Sequence, residues 1–138
     1  MKNQPIIYLV DANEAYRKRT VNLLKSKHYH RIVEFSSGED CYSTQMDAAD
    51  IVITESNFGL ESWSGLEFML EYKRLFENTQ FLFLTSESDL KKATLCIRSG
   101  ARDYILKSKT GQHRIADLVS KIPIQLSEQS ILPDSFSD

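Results

Sequence analysis

The stretch Ser99-Gly100-Ala101-Arg102-Asp103-Tyr104-Ile105-Leu106-Lys107 contains one complete step from helix to strand. Upstream of it, Ala93, Cys96 and Ile97 fall at i, i+3 and i+4, the spacing of a single helix face, and Ser88 or Asp89 can cap the start of that helix. Gly100 suits the left-handed residue that ends it. Tyr104-Ile105-Leu106 is then an apolar run long enough for a strand and too short for a helix. Lys107 follows directly at its carboxyl end.

The same step recurs outward along the chain. Ile6-Ile7-Tyr8-Leu9-Val10, Ile32-Val33-Glu34-Phe35, Ile51-Val52-Ile53-Thr54 and Phe81-Leu82-Phe83-Leu84 are four further apolar runs. The first is continuous and rich in aliphatic residues, the pattern of a strand buried on both faces of a parallel sheet. Between the runs, Tyr16, Thr20 and Leu24 predict a first helix with Asn13 as its N-cap. Glu39 to Gln45 predicts a weak second helix. A loop from Ser56 to Trp63 leads into a third helix starting near Ser64, with Leu66, Met69, Leu70 and Phe76 turned inward. Ile115, Leu118, Val119 and Ile122 predict a last helix, which Pro123 helps to stop. Five βα units in regular alternation imply right-handed crossovers and a parallel sheet covered by helices on both faces.

Composition is consistent with this. A chain of 138 residues with 41% hydrophobic and 26% charged side chains can bury one core. With 17 Lys+Arg against 19 Asp+Glu, the net charge of −2 supplies no basic footprint for a nucleic-acid backbone. Ile6 to Val10 is too short for a signal-peptide core, and no run approaches the roughly 20 apolar residues of a membrane span. Two cysteines, Cys41 and Cys96, cannot build a disulfide framework and fit a reducing compartment. A soluble, cytoplasmic domain is expected over 1–124, with a polar tail or the start of a linker over 125–138. Cys41 is expected as a surface or loop thiol and Cys96 as a core thiol. His28-Tyr29-His30 has no third ligand nearby and is expected to be a solvated turn. Arg17-Lys18-Arg19 is expected on the solvated face of its helix. Trp63 is the one exposed-looking large aromatic, either an anchor for a partner or a plug for its own loop.

In an open parallel α/β sheet, ligands bind outside the carboxyl ends of the strands. The residues there are Asp11, Glu55, Thr85 with Ser86, and Lys107. Two acids, a hydroxyl and an ammonium could together hold a divalent cation and a phosphoryl group. No glycine pattern of a nucleotide-binding loop follows any strand.

From about Asn3 to Ile122 the chain resembles the CheY-like receiver domains of two-component response regulators. The resemblance rests on Ile7-Tyr8-Leu9-Val10-Asp11, Asp50-Ile51-Val52-Ile53-Thr54-Glu55, Gly65-Leu66-Glu67, Phe83-Leu84-Thr85-Ser86 and the Ser99–Lys107 string. It implies a flavodoxin-like (βα)5 doubly wound fold with a five-stranded parallel sheet in the order 2-1-3-4-5. In that family an aspartate after the third strand accepts a phosphoryl group from a phosphohistidine of a sensor kinase, with Mg²⁺ held by acids after the first strand. The match puts Glu55 at the phosphoacceptor position and Thr85, Tyr104 and Lys107 at the switch positions. Asp11 and Glu55 fall at the metal positions.

The chain departs from the family where its chemistry is done. Glutamate adds a methylene, a displacement beyond the roughly 0.5 Å tolerance of a preorganised site. Asp11 is followed by Ala12 where the family has a second acid, so any Mg²⁺ site is expected to be weak or absent, with Asn13 a neutral substitute. The loop after Glu55 lacks the usual proline, and the family's Lys-Pro step is Lys107-Ser108, predicted trans.

These features imply an atypical receiver, a pseudo-receiver that is not an enzyme and works through protein contacts. The expected partners are a sensor histidine kinase or a downstream output protein, with no nucleic acid or membrane. A homodimer through the fourth-helix, fifth-strand and fifth-helix face is a further expectation. One alternative is a competent receiver phosphorylated at Glu55 or a neighbour such as Ser56. A remote one, faintly suggested by Asp11-Ala12-Asn13, is a haloacid-dehalogenase-type phosphatase, which needs an aspartate where Asn13 stands.

Overall fold

Side chains alternate across a strand, so each buried strand must supply apolar groups to two helix layers. A computed structural model, which describes residues 4–44, 47–108 and 110–123, shows this division. The strands are β1 (Ile7–Val10), β2 (Ile32–Phe35), β3 (Ile51–Thr54), β4 (Gln80–Thr85) and β5 (Asp103–Leu106). The helices are α1 (Glu14–Ser26), α2 (Gly38–Ser43), α3 (Gly65–Leu75), α4 (Leu90–Arg98) and α5 (Gly111–Lys121). The sheet is parallel with order β2-β1-β3-β4-β5, the expected flavodoxin-like arrangement.

Tyr8, Val10, Val52, Phe81 and Phe83 pack with Phe68, Met69, Tyr72 and Cys96 on one side of the sheet. Ile7, Leu9, Ile51, Ile53, Leu82, Leu84 and Ile105 pack with Leu24, Ile115 and Val119 on the other. Each fully buried aliphatic or aromatic side chain is worth roughly 1.5–3 kcal/mol, so the two layers supply the dominant stabilising term. Local signals fix where the helices start. Asn13, Ser37, Ser64 and Asp89 each accept a backbone N–H at the N-cap, and Ser64 with Glu67 forms a capping box. Gly100, at φ +123°, ends α4 as expected.

Three expectations need correction, and one left open is decided. Leu70 is 45% exposed, and Phe68 and Tyr72 take the inner positions of α3 with Met69. The cause is Gly65, which faces the end of β3 and turns the buried stripe by one residue. Ile97 is 42% exposed because Cys96 is the one fully buried residue of α4. Cys41 is buried on α2 rather than on the surface, and burial pushes its thiol pKa up to about 12. Trp63 is half-buried, its ring packed edge-on against Tyr42 at 5.5 Å and its backbone N–H donated to Glu39 Oε2 at 2.7 Å, so it plugs its own loop. Gln45, the expected end of α2, and the 125–138 tail lie outside the described residues.

Candidate functional site

Strand register brings the site together. Val10 pairs with Thr54 and Thr85 with Leu106, so Asp11, Glu55, Thr85 and Lys107 emerge side by side at one edge of the sheet. Ser86, the fifth expected strand-end residue, joins them through its N–H to Glu55 Oε1. Lys107 Nζ bridges the two acids, 2.7 Å from Asp11 Oδ2 and 3.1 Å from Glu55 Oε1. The Tyr16 ring lies over the same ammonium, 4.7 Å from centroid to Nζ, a cation–π contact. The Asp11 carbonyl accepts from Arg17 Nη1 at 2.6 Å, and Asp11 Oδ1 accepts from Asn13 N at 2.9 Å. Arg17 therefore holds the end of β1, while its Nε pairs with Glu34, and is not the solvated side chain expected.

The Glu55 carboxylate is saturated. Oε2 accepts from Ser56 N at 2.6 Å, from Asn57 N at 3.2 Å and from the Thr85 hydroxyl, while Oε1 accepts from Ser86 N at 3.2 Å. Burial pushes the Glu55 pKa up. The Thr85 hydroxyl, the Ser56 N–H and the Lys107 ammonium outweigh burial and hold it below its usual value of 4.5. Burial likewise depresses Lys107, but Asp11 and Glu55 overcome that and raise it. A lowered acid stabilises the fold above its unfolded pKa, and that stability is lost as pH falls through the folded value; a raised lysine stabilises below its unfolded pKa and loses this as pH rises through the folded value. Urea unfolding followed across pH is expected to show stability falling below about pH 4.5 and again above about pH 10.5.

These residues do not fit Mg²⁺. The ion demands octahedral oxygen ligands at about 2.0–2.1 Å, and Lys107 already occupies the space between the two acids. Position 12 is alanine, and no group of three or more His, Cys, Asp or Glu residues that could hold a metal occurs among the described residues. Asn13 is committed as the N-cap of α1 through Tyr16 N at 3.0 Å.

The readout positions are also engaged. Tyr104 stacks on Phe83 with centroids 5.8 Å apart, and its hydroxyl donates to the Glu87 carbonyl at 3.1 Å. The ring is thus turned inward while Thr85 is bound to Glu55. Ser56 is buried, its Oγ 2.7 Å from Thr85 Oγ1 and 2.8 Å from Glu87 Oε1. The Lys107–Ser108 bond is trans, and the loop after Glu55 turns at Gly59, whose N–H donates to Asn57 Oδ1 at 2.9 Å.

Sequence reasoning misses Glu87, Asn57 and Tyr16, because their roles depend on side-chain reach and not on the end of an apolar run. The Thr85-x-Glu87 spacing carries no signal by itself. A cavity of about 510 Å³ lies at the opposite end of the sheet, bounded by Asp50, Phe76, Thr79 and Arg102, far from this chemistry.

Comparison with known proteins agrees with this geometry. The family model for the response regulator receiver domain matches residues 7–120. Nodulation protein W of Bradyrhizobium diazoefficiens is 24% identical over 115 residues, covering 83% of this chain and 50% of that protein. The chain thus spans about half the length of this curated relative. The fold matches the response regulator DrrB, a Thermotoga maritima OmpR/PhoB homologue, with a TM-score of 0.74 at 23% identity, covering 92% of this chain and 54% of that one. It also matches a response regulator receiver protein from Pseudomonas putida, with a TM-score of 0.72 at 21% identity, covering 88% of this chain and all of that one. With this sheet order, this strand-end cluster and a family match over most of its length, the chain belongs to the receiver domains of two-component response regulators.

Proposed function

We propose that this receiver acts through protein contacts, with Glu55 as a permanent acid in place of a phosphoacceptor and no turnover of its own. The observation that carries this reading is the saturated Glu55 carboxylate. Its two oxygens take three backbone N–H groups, the Thr85 hydroxyl and the Lys107 ammonium, the donors that a phosphoryl group at this position would need. An incoming phosphodonor would have to break these bonds, and Lys107 already fills the space between Asp11 and Glu55 where a neutralising cation would sit. Ser56 is a poor alternative acceptor, since its hydroxyl is buried and engaged by Thr85 and Glu87.

The longer acid reaches Thr85 unaided, which supports a receiver held in one readout state with Tyr104 inward. It lacks the full dianion of a phosphate, so it imitates the geometry more closely than the charge. A protein partner, a sensor kinase or an output protein, would meet the face of α4, β5 and α5. Leu90, Leu95, Ile97 and Leu106 are exposed on α4 and β5 there, and self-association would use the same surface.

Incubation of the full chain with acetyl phosphate or a phosphohistidine donor tests this by intact mass. No mass increase is expected. A gain of about 80 Da that Glu55→Ala abolishes, or one mapping to Ser56, would overturn the reading.

A further inference from the structure

Helix α4 is weakly held by packing. Of its nine residues Cys96 alone is fully buried, and Leu90, Leu95 and Ile97 are exposed. A helix with so little buried apolar surface needs another anchor to keep its place on the sheet. Among the described residues, the Glu87 side chain makes that connection. Glu87 Oε1 accepts from Lys92 Nζ of α4 at 2.8 Å and from Ser56 Oγ at 2.8 Å, and Glu87 Oε2 accepts from Asn57 Nδ2 at 3.2 Å. Its backbone takes part as well. Glu87 N donates to Thr85 Oγ1 at 3.1 Å, and Glu87 O accepts from the Tyr104 hydroxyl.

Proton counting gives this network a direction. Thr85 has one hydroxyl proton, which goes to Glu55, so its oxygen is free to accept from Glu87 N. Ser56 has one as well, within reach of Thr85 Oγ1 at 2.7 Å, Glu87 Oε1 at 2.8 Å and Glu55 Oε2 at 3.3 Å. Glu87 thus lies within hydrogen-bond distance of both residues that follow Glu55 and of the first turn of α4. Lys92 draws its pKa down through their hydrogen bond, so the carboxylate stays charged.

From this geometry we infer that Glu87 is a positioning residue that ties α4 to the acceptor position, so that the exposed face of α4 follows the state of Glu55. This coupling runs beside the Thr85–Tyr104 pair and through different atoms. It rests on the reading of Glu55 as the acid that sets the readout state.

Hydrogen exchange of the full chain, followed on peptides spanning Leu90–Arg98, tests it without any phosphodonor. Glu87→Ala is expected to speed α4 exchange roughly tenfold, and Lys92→Met roughly threefold, with α1 and α5 unchanged. Glu87→Gln keeps a carbonyl acceptor for Ser56 but loses the ion pair, and is expected to behave like Lys92→Met. Glu55→Ala should also speed α4, and add nothing on top of Glu87→Ala. Unchanged α4 exchange in Glu87→Ala, or additive effects of Glu55→Ala and Glu87→Ala, would overturn the inference. Should Glu87→Ala speed every helix alike, Lys92→Met decides, because the Lys92 side chain is 36% exposed and its ammonium pairs with Glu87: no acceleration of α4 there sinks the tether. A phosphoryl mass gain in the earlier test would leave these exchange outcomes intact, so the two failures are separable.

Discussion

Replacing Lys107 by methionine is expected to destabilise the domain by about 3–4 kcal/mol, the cost of removing one partner from a buried ionic cluster. The reason is geometric. Asp11 and Glu55 both bond the same ammonium, and without it two buried carboxylates face each other across the space it leaves. The methionine stem can keep the packing against Tyr16, so the loss reports charge more than volume. Urea unfolding should show a lower midpoint with an unchanged slope. The gap between parent and variant should narrow as pH falls through the carboxylate range, from both directions. Protonation relieves the repulsion in the variant, and it removes from the parent the stability contributed by the lowered Glu55. Adding Glu55→Gln to Lys107→Met should recover part of the loss, because one of the stranded charges is gone. A gap that stays constant from pH 7 to pH 3 would show that the cluster is not electrostatic in origin.

Gly65→Ala is expected to cost about 3 kcal/mol, the upper range for overpacking a closed site. A Cβ at this position would overlap the Glu55 carbonyl oxygen and lie 2.8 Å from the Phe83 ring and 3.0 Å from Ser56 Cα. Two of these three neighbours are backbone, so no rotamer change can make room. Because Gly65 N also donates to Ser56 O at 2.9 Å, the strain would be delivered to the segment that carries Glu55. The expected result is a large drop in thermal midpoint together with a shifted Tyr104 environment in near-ultraviolet circular dichroism. Gly100→Ala is the contrasting case. Space there is adequate, with the Lys73 side chain 3.5 Å away, and the obstacle is φ +123°. Its cost, near 1 kcal/mol, should leave the site signal unchanged. If Gly65→Ala proves as mild as Gly100→Ala, the close approach of α3 to β3 is not what positions Glu55.

The strands were legible because a fully buried parallel strand announces itself as an unbroken apolar run. Ile32–Phe35 and Ile51–Thr54 predict β2 and β3 to the residue, and the helix caps at Asn13 and Asp89, the latter one of two candidates, are legible from local chemistry alone. The inner face of α3 was not. Leu66, Met69 and Leu70 satisfy helical spacing as well as Phe68, Met69 and Tyr72 do, and which stripe is buried depends on the contact of Gly65 with the strand end. The same holds for α4, whose apolar spacing gives no sign that the helix covers so little of the sheet.

Within the site, Asp11, Glu55, Thr85 and Lys107 follow from position, since the first residues past each run must gather where a parallel sheet ends. Glutamate at position 55 and alanine at position 12 are likewise facts of sequence, and they already argue against cation-dependent phosphoryl transfer. Only the tertiary structure decides how the charges are distributed. Lys107 lies between both acids, the Glu55 carboxylate accepts from Ser56, Asn57, Thr85, Ser86 and Lys107, and Glu87 spans from Ser56 and Asn57 to Lys92. The physical reason is one of range. Apolar burial and helix capping act over a few neighbouring residues and leave a periodic trace in the chain. Hydrogen bonds between side chains on different loops depend on where the packed sheet sets those loops, to within a few tenths of an ångström.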